Sequence, residues 1–113
     1  MHAFDILGDP VRRRILELLA QGERSAGSLT EVIQKKFSIT QPGVSQHLRA
    51  LRESGFVRVR IEGPKRIYSV DSKPLREVDT WIGQFRGSWG QPLRSLTAVI
   101  TRGKAKRPKA GSP

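Results

Sequence analysis

A switch in hydrophobic period constrains this chain most. Up to Leu51, the apolar residues recur at helical spacing. From Val57 to Val70 they recur at every second position. Val57, Val59 and Ile61 alternate with Arg58, Arg60 and Glu62. Gly63-Pro64 then interrupts, and Arg66, Tyr68 and Val70 alternate again. A period of two flanking a Gly-Pro break predicts a β-hairpin, here with a basic tip at Lys65 and Arg66. In that alternation Tyr68 falls with Val70, which makes it a core residue.

The helical part is punctuated by its own start and stop signals. His2 to Leu7 is a short, partly apolar stretch that suits a brief helix. Gly8 ends it, Asp9 caps the next one, and Pro10 fits the first turn. Val11, Ile15, Leu18 and Leu19 give this second helix one apolar face, and Gly22 stops it. Ser25 or Ser28 caps a third helix carrying Leu29, Val32, Ile33 and Phe37. After the connector Ser38-Ile39-Thr40, Thr40 caps a fourth helix with Pro42 in its first turn and an inward stripe of Val44, Leu48 and Leu51. Ser54-Gly55 closes it.

Helix, helix, turn, helix and hairpin in that order describe a mostly α fold with a small β-hairpin, a winged helix-turn-helix. Such a unit buries one face of its recognition helix and offers another to the major groove. With Val44, Leu48 and Leu51 inward, Gln41, Ser45, Gln46, Arg49 and Arg52 lie largely on other faces. Gln pairs with adenine and Arg with guanine through paired hydrogen bonds, and Ser45 suits a phosphate or a base. Thr40, Gln41, Pro42 and Gly43 begin the helix, where small residues and unpaired N–H groups favour a close phosphate. His47 either touches DNA or fills the flank of its helix. Arg58, Arg60, Lys65 and Arg66 on the hairpin form a second candidate contact, to phosphates or the adjacent minor groove. Arg12, Arg13 and Arg14 read instead as a solvated helix face, with one of them paired to a carboxylate.

Charge agrees with a polyanionic partner. The 113 residues hold 21 Lys and Arg against 10 acids, a net charge of +11 and a pI near 11.3. Nucleic acid, an anionic membrane surface or an acidic protein would all suit that balance. There is no cysteine, which removes disulfides, thiolate metal ligands and cysteine nucleophiles. No leader peptide is visible from Met1, and no run reaches the ~18 apolar residues of a membrane span. A cytoplasmic protein of one domain, residues 1–100, is the expectation. Residues 101–113 add a basic tail without large apolar residues, expected to be disordered in isolation. No catalytic constellation stands out, since Ser45 and His47 are too close in sequence to face each other on a helix.

After Pro74 a long apolar stripe begins: Leu75, Val78, Ile82, Phe85, Trp89, Leu93, Leu96 and Ile100. One helix to about Trp89, then a break near Gly90–Pro92, is expected. Hydrophobic residues are only 36% of the chain. A small domain does not easily cover such a stripe alone.

Two segments resemble the ArsR-type regulators. Asp9-Pro10-Val11-Arg12-Arg13-Arg14-Ile15-Leu16-Glu17-Leu18-Leu19 looks like their second-helix signature. Thr40-Gln41-Pro42-Gly43-Val44-Ser45-Gln46-His47-Leu48-Arg49-Ala50-Leu51 looks like their recognition helix. Ser54-Gly55-Phe56-Val57 and Gly63 to Val70 match the strand and wing. The resemblance covers roughly residues 3 to 100. It implies a homodimeric repressor on an inverted-repeat operator of double-stranded DNA, dimerising through its first and last helices. Phe4, Leu75, Val78, Ile82, Phe85, Trp89, Leu93 and Leu96 would then make the dimer interface.

Many of those regulators release DNA when a metal binds Cys, or Asp, Glu and His on the last helix. Here the histidines are His2 and His47, and the last helical region has Glu77 and Asp79 without a histidine. The resemblance is to the metal-independent branch, with no metal or cofactor expected and a small-molecule effector left open. Two other readings compete: a non-specific architectural nucleic-acid binder, and a protein-interaction module on the same scaffold.

Overall fold

The computed structural model describes residues 2–87. Five helices and three strands follow in the order α1 (Ala3–Leu7), α2 (Pro10–Ala20), β1 (Arg24–Ser25), α3 (Ala26–Lys36), α4 (Gln41–Glu53), β2 (Val57–Glu62), β3 (Lys65–Val70) and α5 (Lys73–Gly83). Residues up to Val78 form one compact unit, and Asp79 opens a second.

The helix starts follow the local chemistry. Asp9 Oδ1 accepts from the N–H groups of Val11 and Arg12 at 2.8 and 3.1 Å. Ser25, not Ser28, caps α3: its hydroxyl accepts from the Ser28 N–H at 3.1 Å. Thr40 Oγ1 accepts from Gly43 N–H at 3.1 Å. Each bond satisfies a backbone donor that the first helical turn leaves without a partner.

The end of α4 is built as firmly. Gly55 has a φ of +83°, the left-handed conformation that L side chains rarely adopt. The Phe56 N–H donates to Leu51 O at 2.9 Å and the Gly55 N–H to Arg52 O at 3.1 Å. These are the two bonds of a Schellman cap. The turn delivers Phe56 into the core, where it is the largest fully buried side chain. The sequence reading names Phe56 only within the segment that resembles the family's strand and gives it no part in the core.

The sheet has one strand more than the predicted hairpin. Its order is β1-β3-β2, all antiparallel, with Arg24 opposite Tyr68 and Ser25 opposite Ile67. Gly63 and Pro64 join β2 to β3. Gly63 supplies the positive φ, +60°, that a tight hairpin turn demands, and Pro64 fixes the next one. Val57, Val59 and Ile61 pair with Val70, Tyr68 and Arg66, so these six side chains share one face. Arg58, Arg60 and Glu62 pair with Ser69, Ile67 and Lys65 on the other.

The core gathers Ile6 from α1, Ile15 and Leu19 from α2, Leu29 and Ile33 from α3, Val44, Leu48 and Leu51 from α4, and Phe56, Val57 and Tyr68. Each fully buried aliphatic side chain contributes about 1.5–3 kcal/mol. Leu75 packs against this cluster, half-buried, and Phe4 stays exposed.

The last described helix is shorter than expected. α5 ends at Gly83, Gln84–Phe85 form a turn, and Arg86–Gly87, the last described residues, are helical again. There the N–H groups of Gln84 and Phe85 donate three residues back, to Trp81 O and Ile82 O. Gly83, a poor helix former, sits at the point of the change. Val78 and Ile82 are half-buried, while Trp81 and Phe85 are exposed and meet edge to face at 4.8 Å. Trp89, Leu93, Leu96, the break near Gly90–Pro92 and the basic tail lie outside the described residues. Among the described residues no helix is long and apolar enough to cross a membrane.

Candidate nucleic-acid interface

α3 and α4 are joined by an extended turn. The Phe37 N–H closes α3 on Ile33 O, Ile39 N–H bonds Phe37 O, and Gln34 Nε2 donates to Ile39 O at 3.2 Å. Beside this turn, in the first turn of α4, Gly43 has a steric role. A Cβ there would lie 2.7 Å from Ile39 Cγ1 and 3.3 Å from Thr40 Oγ1. Its small size admits the Ile39 side chain against the helix start, a packing demand that sequence reasoning assigned to DNA approach.

A concave groove of roughly 600 Å³ runs between α3, α4 and β3. From α4 it receives Gln41, Ser45, Leu48, Arg49 and Arg52, at helical spacing on one side of the helix, with Leu48 and Arg49 adjacent. Arg66 enters from the wing, with Tyr68 beside it, and α3 adds Thr30, Glu31 and Gln34. Gln41, Ser45, Arg49 and Arg66 were legible as candidates one at a time. The α3 side was missed, because it is the wall opposite α4 and carries no basic residue to mark it.

The other candidates are distributed around that groove. Pro42 and Gln46 are exposed on α4 but outside its lining. His47 turns toward α2: its Nε2 lies 4.0 Å from Asp9 Oδ1, and both side chains are partly buried. Lys65 lies on the outer face of the wing, opposite Glu62. Arg58 and Arg60 share that face and are already paired. Arg58 Nε donates to Asp71 Oδ2 at 3.1 Å, and Arg60 donates to Glu23 at 2.6 Å and Glu62 at 3.2 Å.

Ionisation follows these contacts. On α4, Arg49 Nε donates to Glu53 Oε2 at 2.8 Å, which holds the Glu53 carboxyl below its ordinary value and raises the Arg49 guanidinium. Asp71 is depressed first by the Lys73 N–H and then by Arg58. Arg60 is raised by its two carboxylates. Arg52, Lys65 and Arg66 form no ion pair with the described residues.

The arginine run of α2 has a different use. Arg12 donates through Nε to Ile6 O at 3.2 Å and through Nη2 to Asp5 O at 3.1 Å. Arg13 donates to Leu7 O at 2.6 Å, and Arg14 pairs with Glu17. Two of the three thus cap the carbonyl end of α1, and one meets a carboxylate. Among the described residues no group of three His, Cys, Asp or Glu side chains is arranged to hold a metal ion.

A family model for a helix-turn-helix domain matches residues 7–60. The chain is 31% identical over 84 residues to the transcriptional repressor SdpR of Bacillus subtilis (strain 168), covering 74% of this chain and 89% of that one. It is 32% identical over 98 residues to the HTH-type transcriptional regulator Rv2034 of Mycobacterium tuberculosis, covering 87% and 85%. Among solved structures, the ArsR family transcriptional regulator RHA00566 is similar with a TM-score of 0.66 at 28% identity, over 77% of this chain and 86% of that one. Fold, groove and relatives together define a winged helix-turn-helix DNA-binding transcriptional regulator. The chain belongs to the ArsR family.

Proposed function

We propose that this regulator is a cytoplasmic repressor that binds an inverted-repeat operator as a homodimer and blocks polymerase by occupying the promoter. The observation that carries this reading is the groove itself, where Gln41, Ser45 and Arg49 on one side of α4 face Arg66 of the wing. α4 enters the major groove, with Gln46 and Arg49 reading base edges, Ser45 on a base or phosphate, and the helix start from Thr40 to Gly43 against the backbone. Lys65 and Arg66 at the wing tip contact phosphates. Phe4, Leu75, Val78, Ile82, Phe85, Trp89, Leu93 and Leu96 form the dimer interface, and two copies set their α4 helices about 34 Å apart, one DNA turn. The name of its relative SdpR, a transcriptional repressor, supports the direction of regulation.

The test is fluorescence anisotropy at physiological salt, with DNA from the promoter upstream of the chain's own gene and a scrambled control. A preference of roughly a thousandfold or more is expected. A genome-wide binding selection covers the case of a distant operator. Weak, equal and salt-sensitive binding to every sequence would overturn this reading in favour of an architectural role.

A further inference from the structure

We propose that Arg58 and Arg60 are positioning residues that strap the wing in place, and that the wing meets phosphate only through its tip. This deepens the operator-binding reading and rests on it. The outer face of β2 presents both arginines side by side, and each is held from a different element. Arg60 reaches Glu23, thirty-seven residues earlier in the loop between α2 and β1, and Glu62 on its own strand. Arg58 reaches Asp71, whose other oxygen accepts from the Lys73 N–H at the start of α5. The hairpin is therefore tied to the α2–β1 loop on one side and to the α5 entrance on the other.

Charge decides against phosphate at these positions. One guanidinium between two carboxylates leaves the Arg60 cluster with a net single negative charge, and Arg58 with Asp71 is neutral. A phosphate approaching Arg60 meets that negative charge, and displacing either carboxylate exposes an acid to the DNA. Lys65 and Arg66 have no such partner among the described residues. They sit at the hairpin turn, on opposite faces of the ribbon. The geometry of the strap needs a fork, because separate nitrogens of Arg60, Nη1 and Nη2, serve Glu23 and Glu62.

The experiment measures operator affinity of the full chain against salt concentration, first for the wild type. A wild type without operator preference ends the operator reading itself. Given a specific wild type, Arg60→Gln and Glu23→Ala are each expected to weaken operator binding about threefold, and the double variant no further, since both break one contact. Arg60→Lys fails like Arg60→Gln, although it keeps the charge. The slope of log affinity on log salt stays at the wild-type value in all of them, and the thermal midpoint is unchanged. Arg58→Gln and Asp71→Asn behave as a second such pair. Lys65→Gln and Arg66→Gln, by contrast, each reduce the salt slope by about one. The strap is overturned if Arg60→Gln lowers the slope by about one, if Glu23→Ala tightens binding, or if Arg60→Lys binds like the wild type. Unchanged affinity in both Arg60→Gln and Glu23→Ala overturns it equally.

Discussion

Helices α2 and α4 start alike. Each has a polar N-cap, Asp9 or Thr40, and a proline in the first turn, and each buries a stripe of aliphatic side chains. Both also carry several arginines. Their outer faces nevertheless do different work. On α2, Arg12 and Arg13 bend back onto the carbonyls of Asp5, Ile6 and Leu7. On α4, Arg49 and Arg52 face the groove, and Arg52 has no ion pair among the described residues. A basic run is thus a nucleic-acid footprint only when the fold aims it into an open groove and not back at its own backbone. On α2 the acceptors are the backbone carbonyls at the end of α1.

The buried stripes test the common part of this comparison. Ile15 of α2 and Leu51 of α4 are both fully buried. Ile15→Ala and Leu51→Ala should each cost about 2–5 kcal/mol, transfer and cavity terms together. That is a large share of a stability of about 5–15 kcal/mol. Urea midpoints measure it. A loss much smaller for Leu51 than for Ile15 would mean that α4 is held by its turns and not by the core, and the likeness would break.

The outer faces test the difference. Arg49→Ala should reduce the preference for operator over random DNA roughly tenfold to a hundredfold and leave the urea midpoint in place. Equal losses on both DNAs would remove Arg49 from base reading. Arg12→Ala should do the reverse. It removes two of the three arginine donors at the end of α1 and costs about 1–2 kcal/mol, with faster amide exchange in α1. The salt slope of DNA binding stays unchanged. A reduced slope for Arg12→Ala would put the α2 arginines on the DNA.

These contrasts also separate what the sequence carries from what only the folded chain shows. Asp9, Thr40 and the Gly55 turn act within a few residues of themselves, so their composition announces them. The alternation of β2 and β3 is local in the same sense. β1 is not: Arg24 and Ser25 have no pattern of their own and become a strand by pairing with Ile67 and Tyr68. The ties between Arg60 and Glu23, and between His47 and Asp9, join segments far apart along the chain. The same limit applied to the groove, whose α4 wall follows from one helix period while its α3 wall requires the angle between two helices. Gly43 is an intermediate case, a small residue that is easy to see and whose neighbour, the Ile39 side chain, is visible only in three dimensions.

Caps give a smaller effect and sharpen the comparison again. Thr40→Ala and Asp9→Ala should each cost about 1 kcal/mol, read from urea midpoints. A loss near zero for Thr40→Ala would show that Pro42 and the Ile39 packing already fix the helix start.

The smallest effect distinguishes the two caps by acid. Partial burial pushes the Asp9 carboxyl up, but the N–H groups of Arg12 and Val11, the facing His47 and the Arg12 guanidinium outweigh it, and the net shift is downward from 3.8. A carboxyl whose folded value lies below its unfolded one stabilises the fold fully above the unfolded value. That contribution is lost as pH falls through the lower, folded value. The hydroxyl of Thr40 does not titrate. Acidification below 3.8 should therefore loosen the first turn of α2 before that of α4, seen as earlier amide exchange at Val11 and Arg12 than at Gly43. Asp9→Asn keeps the acceptor without the charge, so its urea midpoint should fall less steeply with acid than that of the wild type. Asp71 and Glu53, also depressed, contribute the same acid limb in both proteins and cancel from the difference. Parallel acid limbs for Asp9→Asn and wild type would mean that Asp9 caps α2 as a plain acceptor, as Thr40 caps α4, and the two helix starts would be equivalent after all.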